Sequence, residues 1–163
     1  LGQYQNPNSG VISAQLRDLA GLLESAGITI ELEADLQLAR WHKLVWNVPF
    51  NGLSVVLNCE TQAMINNRHT RELVRKIMVE VVELAALHGY VIAVEFVDKM
   101  INDTLNMRSY KPSMKIDFEQ KRELEFDQIY QQVLDAAATA NLEIPHITML
   151  AAQLQFCMAQ NNR

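Results

Sequence analysis

Apolar positions in this chain recur mostly at intervals of three and four, and that period predicts a helical protein. Residues 14–26 place Leu16, Leu19, Leu22 and Leu23 at helical spacing, and Gly27 stands where a left-handed residue would end the helix. Residues 28–33 (ITIELE) alternate apolar and polar and predict a short strand. From Asp35 the helical period takes over, with residues 35–47 and 50–58 predicting two helices separated by Pro49. Residues 70–88 form the clearest amphipathic pattern, with Leu73, Ile77, Val81, Leu84, Ala85 and His88 on or near one stripe and Gly89 as its stop. Residues 95–107 predict another helix, turning Val97, Met100, Ile101, Thr104 and Leu105 inward. Pro112 breaks the pattern and Ser113 offers an N-cap to a further turn, near whose start lie Asp117 and Glu119. The period returns over 126–140 through Ile129, Tyr130, Val133, Leu134 and Ala137. Pro145 suits a helix start, and the last helix should run to about Met158. Residues 1–13 read as an irregular lead-in, with Asn6, Pro7, Asn8, Ser9 and Gly10 as turn formers. The expected fold is all-α, a compact multi-helix domain over residues 34–163. Before it, residues 1–33 form a helix–strand unit with no sheet of its own to join, the usual closing piece of an α/β domain.

Composition narrows the function. A chain of 163 residues fits one domain with a short appendage and can bury a core without disulfide or metal. Its net charge of −5, without a basic run, argues against sequence-independent nucleic-acid binding. No apolar stretch approaches the roughly 20 residues of a membrane span, and Leu1 to Gly10 is too polar for a signal peptide. Cys59 and Cys157 are far apart and read as buried thiols of a cytoplasmic protein. The glycines, at 2, 10, 21, 27, 52 and 89, form neither G-x-G-x-x-G nor G-x-x-x-x-G-K-[ST], so the chain carries no phosphate cradle of its own. His42, His69, His88 and His146 lack metal-ligand spacing, so no metal is expected. The seven methionines read as core filling.

The segment from Trp41 to Leu53 carries the chemical signal. Within apolar surroundings, Lys43, Asn47 and Asn51 recur every four residues, so a continuous helix would align an ammonium and two amides along one strip. Burying three such groups without partners would cost several kcal/mol, so they must face water, a ligand or another polar cluster. The plainer reading is a surface strip whose amides serve the proline break. A second segment, Lys111 to Asp127, offers Ser113 and places Glu125 between Leu124 and Phe126, where simple solvation is a poor explanation for a carboxylate. A Lys–Glu pair in a dry site would tune each other's protonation and suit proton transfer.

These residues give a resemblance. The pattern W-x-K-L-x-x-N-x-x-x-N-x-L stands here as Trp41, Lys43, Leu44, Asn47, Asn51 and Leu53. A later S-M-x-x-D followed by a glutamate stands as Ser113, Met114, Asp117 and Glu125, and Pro145 and Leu150 fit a closing P-x-x-x-x-L. In these blocks the chain resembles the C-terminal half of the ketopantoate reductase (2-dehydropantoate 2-reductase) family, over most of residues 14–158. The resemblance implies an oxidoreductase that reduces ketopantoate to pantoate with NADPH, on the way to coenzyme A. It implies an N-terminal Rossmann domain holding the cofactor, of which residues 1–33 are the tail end, and a helical substrate domain over 34–163. Carried over, Lys43 is the general acid, Asn47 and Asn51 bind the substrate's hydroxyl end, and Ser113 binds its carboxylate. Glu125 orients Lys43 and touches substrate or cofactor. Family members often carry a further asparagine after the first block, where this chain has Thr61, with Asn58 nearby. The expected partners are a small 2-oxo acid and the Rossmann domain, with a homodimer possible through apolar surface that the Rossmann domain would otherwise cover. Without that domain the chain should not turn over. The competing readings are a reductase of another 2-oxo acid on the same fold and a non-catalytic helical interaction or dimerisation module.

Overall fold

The computed structural model describes residues 11–30 and 32–161. The turn formers Asn6 to Gly10 and the strand position Glu31 lie outside the described residues. Internal packing divides the chain into two compact units, Leu1–Lys43 and Leu44–Arg163.

The first unit contains helix α1 (Ala14–Ser25), whose N-terminus is capped by the Ser13 hydroxyl accepting from the Leu16 N–H. Gly27, at φ +81°, ends it as expected. The Gly27 N–H reaches the Glu24 carbonyl at 2.9 Å and the Ile28 N–H the Leu23 carbonyl at 3.1 Å, the paired bonds of a Schellman turn. Of the α1 residues only Ala20 is buried, and Leu22 is 68% exposed. One expectation fails here. No strand forms at residues 28–30 or 32–33, where Glu33 makes a single bridge. Alternation alone does not make a strand, because a strand's hydrogen bonds belong to a neighbour. Asp35 then caps α2 (Leu36–Val56), its Oδ1 accepting from the Gln37 and Leu38 N–H groups at 2.8 and 3.1 Å.

Helix α2 continues into the second unit, where every residue from Val48 to Val55 is buried. A helix apolar on all sides belongs in the middle of a bundle. Pro49 does not split it, contrary to the two helices expected. Pro49 has no N–H to give the Val45 carbonyl and ordinarily costs a helix interior about 3 kcal/mol. The surrounding packing overrides that preference, for Val45, Val48 and Phe50 are fully buried.

After α2 come α3 (Thr61–Asn66), which the periodicity missed, α4 (Arg68–Leu87), α5 (Glu95–Asn106) and α6 (Ser113–Glu119). A π-turn at Asp127–Gln131 leads directly into α7 (Gln132–Ala140), and α8 (Pro145–Asn161) closes the unit. Helix α4 begins on the Asn67 side chain and ends at Gly89, φ +85°. Its core face is Val74, Ile77, Met78, Val81, Leu84 and Ala85, whereas His88 at its end is exposed and Leu73 half-buried. Met64, Met78 and Met114 fill the core as expected, but Met107 and Met149 are exposed. Cys59 and Cys157 are free thiols and only half-buried. One polar group lies within the core stripe of α4. The Glu80 carboxylate is 6% exposed and caps α8 from outside, accepting from the His146 and Ile147 N–H groups at 2.9 Å each. The His146 ring adds a contact from Nδ1 at 2.6 Å. Among the described residues no helix is long and apolar enough to cross a membrane.

Candidate functional site

Because α2 is unbroken, Lys43, Asn47 and Asn51 do lie one turn apart on a single helix. Their environments differ in steps: Lys43, the last residue of the first unit, is exposed, Asn47 is half-buried and Asn51 is 2% exposed. The buried amide has a partner. Asn51 Oδ1 accepts the Met114 N–H at 3.2 Å, across 63 residues of sequence. This bond fixes the first turn of α6 against α2.

It also corrects the role expected of Ser113. Pro112 occupies the N-cap position with no side-chain cap bond, and Ser113 is the first helical residue. Asn51 satisfies the N–H of the next residue, so α6 makes no capping demand on the Ser113 hydroxyl, which stays exposed beside Asn51.

Glu125 is exposed between buried Leu124 and Phe126. Its segment is tied to α2 through an aromatic arm. Phe126 stacks on Tyr130 with ring centroids 5.5 Å apart, and the fully buried Tyr130 hydroxyl donates to the Val48 carbonyl at 2.6 Å. Gly52 lies against the Tyr130 hydroxyl. A Cβ on Gly52 would lie 2.2 Å from that hydroxyl, so only glycine permits the approach. Burial holds the Tyr130 phenol far above its ordinary range, so it is neutral at every physiological pH.

The positions nearest the family's further asparagine have structural duties. The Thr61 hydroxyl donates to the Tyr110 carbonyl at 3.1 Å and accepts from the Tyr110 N–H at 3.2 Å. Asn58, in the left-handed region at φ +52°, accepts from Lys115 Nζ at 2.5 Å. Lys115 is 3% exposed and also reaches Glu119 Oε1 at 3.2 Å. These bonds hold the chain before α6 in place. Cys59 lies close enough for the Lys115 charge to act on it, yet burial dominates and pushes its thiol up. Exposed Lys111 and Glu119 pair with each other, which raises the ammonium and lowers the carboxyl, the hydrogen bond being the main cause in each.

Sequence reasoning missed Tyr130, Lys115 and Glu80. The i,i+4 spacing of Lys115 and Glu119 was a signal for one of them. The other two had no local signature, because their partners are 82 and 66 residues away.

The described glycines do not suit a dinucleotide. Gly27 and Gly89 end helices, Gly21 lies inside α1, and Gly52 is taken by Tyr130. Among the described residues no group of three or more His, Cys, Asp or Glu could hold a metal ion. An open cleft of about 500 Å³ between α4 and α5, lined by Arg68, Arg71, Arg75 and Asp98 among others, contains none of the five residues discussed above.

The family model described as ketopantoate reductase PanE/ApbA C terminal matches residues 35–157. The chain belongs to the ketopantoate reductase family. It corresponds to that family's C-terminal, all-α domain. A 2-dehydropantoate 2-reductase of Nostoc sp. is 40% identical over 162 residues, which is 99% of this chain and 51% of the relative. The crystal structure of 2-dehydropantoate 2-reductase from Methylococcus capsulatus superposes with a TM-score of 0.88 at 30% identity, covering 99% of this chain and 51% of that one. The corresponding structure from Geobacter metallireducens gives 0.83 at 38% identity, covering 90% and 50%. The chain therefore spans about half the length of the curated relatives it matches most fully.

Proposed function

We propose that this chain is the substrate half of an NADPH-dependent 2-dehydropantoate 2-reductase, a cytoplasmic enzyme that converts ketopantoate to pantoate for coenzyme A synthesis. Residues 1–33 are the tail end of its N-terminal Rossmann domain, and 34–163 are the helical domain. NADPH, held by the Rossmann domain, supplies hydride to C2 of the 2-oxo acid. Lys43 gives a proton to the carbonyl oxygen and stabilises the negative charge developing there. Asn47 and Asn51 hold the hydroxyl end. With Oδ1 of Asn51 engaged by Met114, its NH₂ is the group left to donate. Ser113 binds the carboxylate, while Glu125 orients Lys43 and touches substrate or cofactor.

The observation that carries this reading is the Asn51–Met114 bond, which seats a freed serine beside the amide of the α2 strip. The exposed leucines of α1 support a further domain beside this chain, or a second copy of it in a homodimer. Absent its cofactor domain, the chain alone is inactive.

The structural duties of Thr61 and Asn58, near the position of the further asparagine, favour one other reading, reduction of a different 2-oxo acid by the same steps. The test is NADPH oxidation by the full-length protein across a panel of 2-oxo acids. Fastest turnover with ketopantoate supports the proposal, faster turnover with another member replaces the substrate, and no turnover with any of them removes the reductase reading.

A further inference from the structure

The five residues assigned above do not explain why a tyrosine hydroxyl is buried inside the backbone of α2. Tyr130 reaches that helix between two carriers of the strip. Its hydroxyl donates to the carbonyl of Val48, one residue after Asn47, and lies against Gly52, one residue after Asn51. A hydroxyl that donates to a helix carbonyl acts on the local bend of that helix. Pro49 lies in the same turn and has no N–H to fix it. The direction of this turn is therefore set from outside, by a residue of the π-turn.

The π-turn supplies the reason for its own geometry. One extra residue per turn displaces the side chains that follow, and such insertions recur at functional sites. Here the insertion at Asp127–Gln131 carries Tyr130, and Phe126 at its start stacks on the Tyr130 ring. Glu125 directly precedes Phe126. Gly52 completes the fit, since a methyl group there would meet both the hydroxyl and Leu150 Cδ2, at 2.2 and 2.8 Å.

We propose that Tyr130 is a positioning residue whose hydroxyl, bonded to Val48 and seated against Gly52, sets the rotation of Asn47 and Asn51 and ties the Glu125 segment to their helix. The proposal rests on the reductase reading for its kinetic consequence but not for its geometry. The test is Tyr130→Phe in the full-length protein, which keeps the ring and its stack on Phe126 while removing the hydroxyl. Two readouts are taken. In the first, KM for the 2-oxo acid should rise about tenfold while KM for NADPH stays unchanged, as expected when substrate-holding groups are misplaced. In the second, the carboxamide signals of Asn47 and Asn51 should shift in protein labelled at asparagine, with those of Asn102 and Asn106 in place. Gly52→Ala, which displaces the phenol, should reproduce both effects, and the double variant should add little to either alone.

A lowered melting temperature with both KM values and both carboxamide signals unmoved would reduce Tyr130 to a core residue and overturn the proposal. Fully additive effects of the two substitutions would overturn the shared contact. If the wild type turns over no 2-oxo acid, the reductase reading fails by itself. The carboxamide signals then decide: shifts confined to Asn47 and Asn51 uphold positioning, and unmoved signals refute it.

Discussion

At Asn51 one carboxamide serves two helices. It is part of α2, and its oxygen caps α6 through the Met114 N–H. Its truncation should therefore reach beyond any effect on substrate. Asn51→Ala leaves a buried N–H without a partner, and we expect a loss of about 1–3 kcal/mol in urea unfolding. Asn47→Ala, at a half-buried position on the same strip, should change stability by less than about 0.5 kcal/mol. Tyr130 gives a pH prediction. Its folded-state pKa is raised by burial, so the unfolded chain ionises first as pH rises. The stability it contributes is full below about pH 10, the ordinary tyrosine value, and is lost above it. Thermal melts should show a steeper alkaline decline in the wild type than in Tyr130→Phe. Equal slopes would mean that the phenol is not buried in solution. At this scale the sequence was informative about chemistry and silent about partners. The spacing of Lys43, Asn47 and Asn51 was readable, but the bond that frees Ser113 from capping joins residues 63 positions apart.

The elements show where local rules hold and where packing overrides them. Gly27 and Gly89 end α1 and α4 in left-handed turns as their positions foretold, because a glycine after a periodic run is a local signal. The break expected at Pro49 is a local signal too, yet α2 runs through it within the core. The helix expected over 126–140 is continuous but begins as a π-turn, a distinction that periodicity over a few residues does not make. The strand expected at 28–33 needed a partner that the described residues do not provide. Helix α8 depends on a group that no reading of its own sequence would find. Two of its first N–H groups are satisfied by Glu80 of α4. Glu80→Ala should cost about 3 kcal/mol and release the start of α8, seen as faster hydrogen exchange at His146 and Ile147. His146→Ala removes only the ring contact and should cost less. Equal costs would assign the stability to the His146 ring rather than to the cap.

On the scale of the whole molecule, the second unit has a continuous core built on α2, whereas α1 in the first exposes Leu19 and Leu22. The chain spans about half the length of the curated relative it matches most fully. The proposed function assigns cofactor binding to the Rossmann domain and proton donation to Lys43 of this chain. The measurement that tests this account most directly is single-turnover NADPH oxidation by the full-length protein with saturating 2-oxo acid, wild type against Lys43→Ala. The account predicts a rate about 100-fold lower or more in the variant, with cofactor binding unchanged, the range expected for loss of a general acid. A variant that turns over at the wild-type rate would show that the proton comes from elsewhere and would contradict the assignment of Lys43.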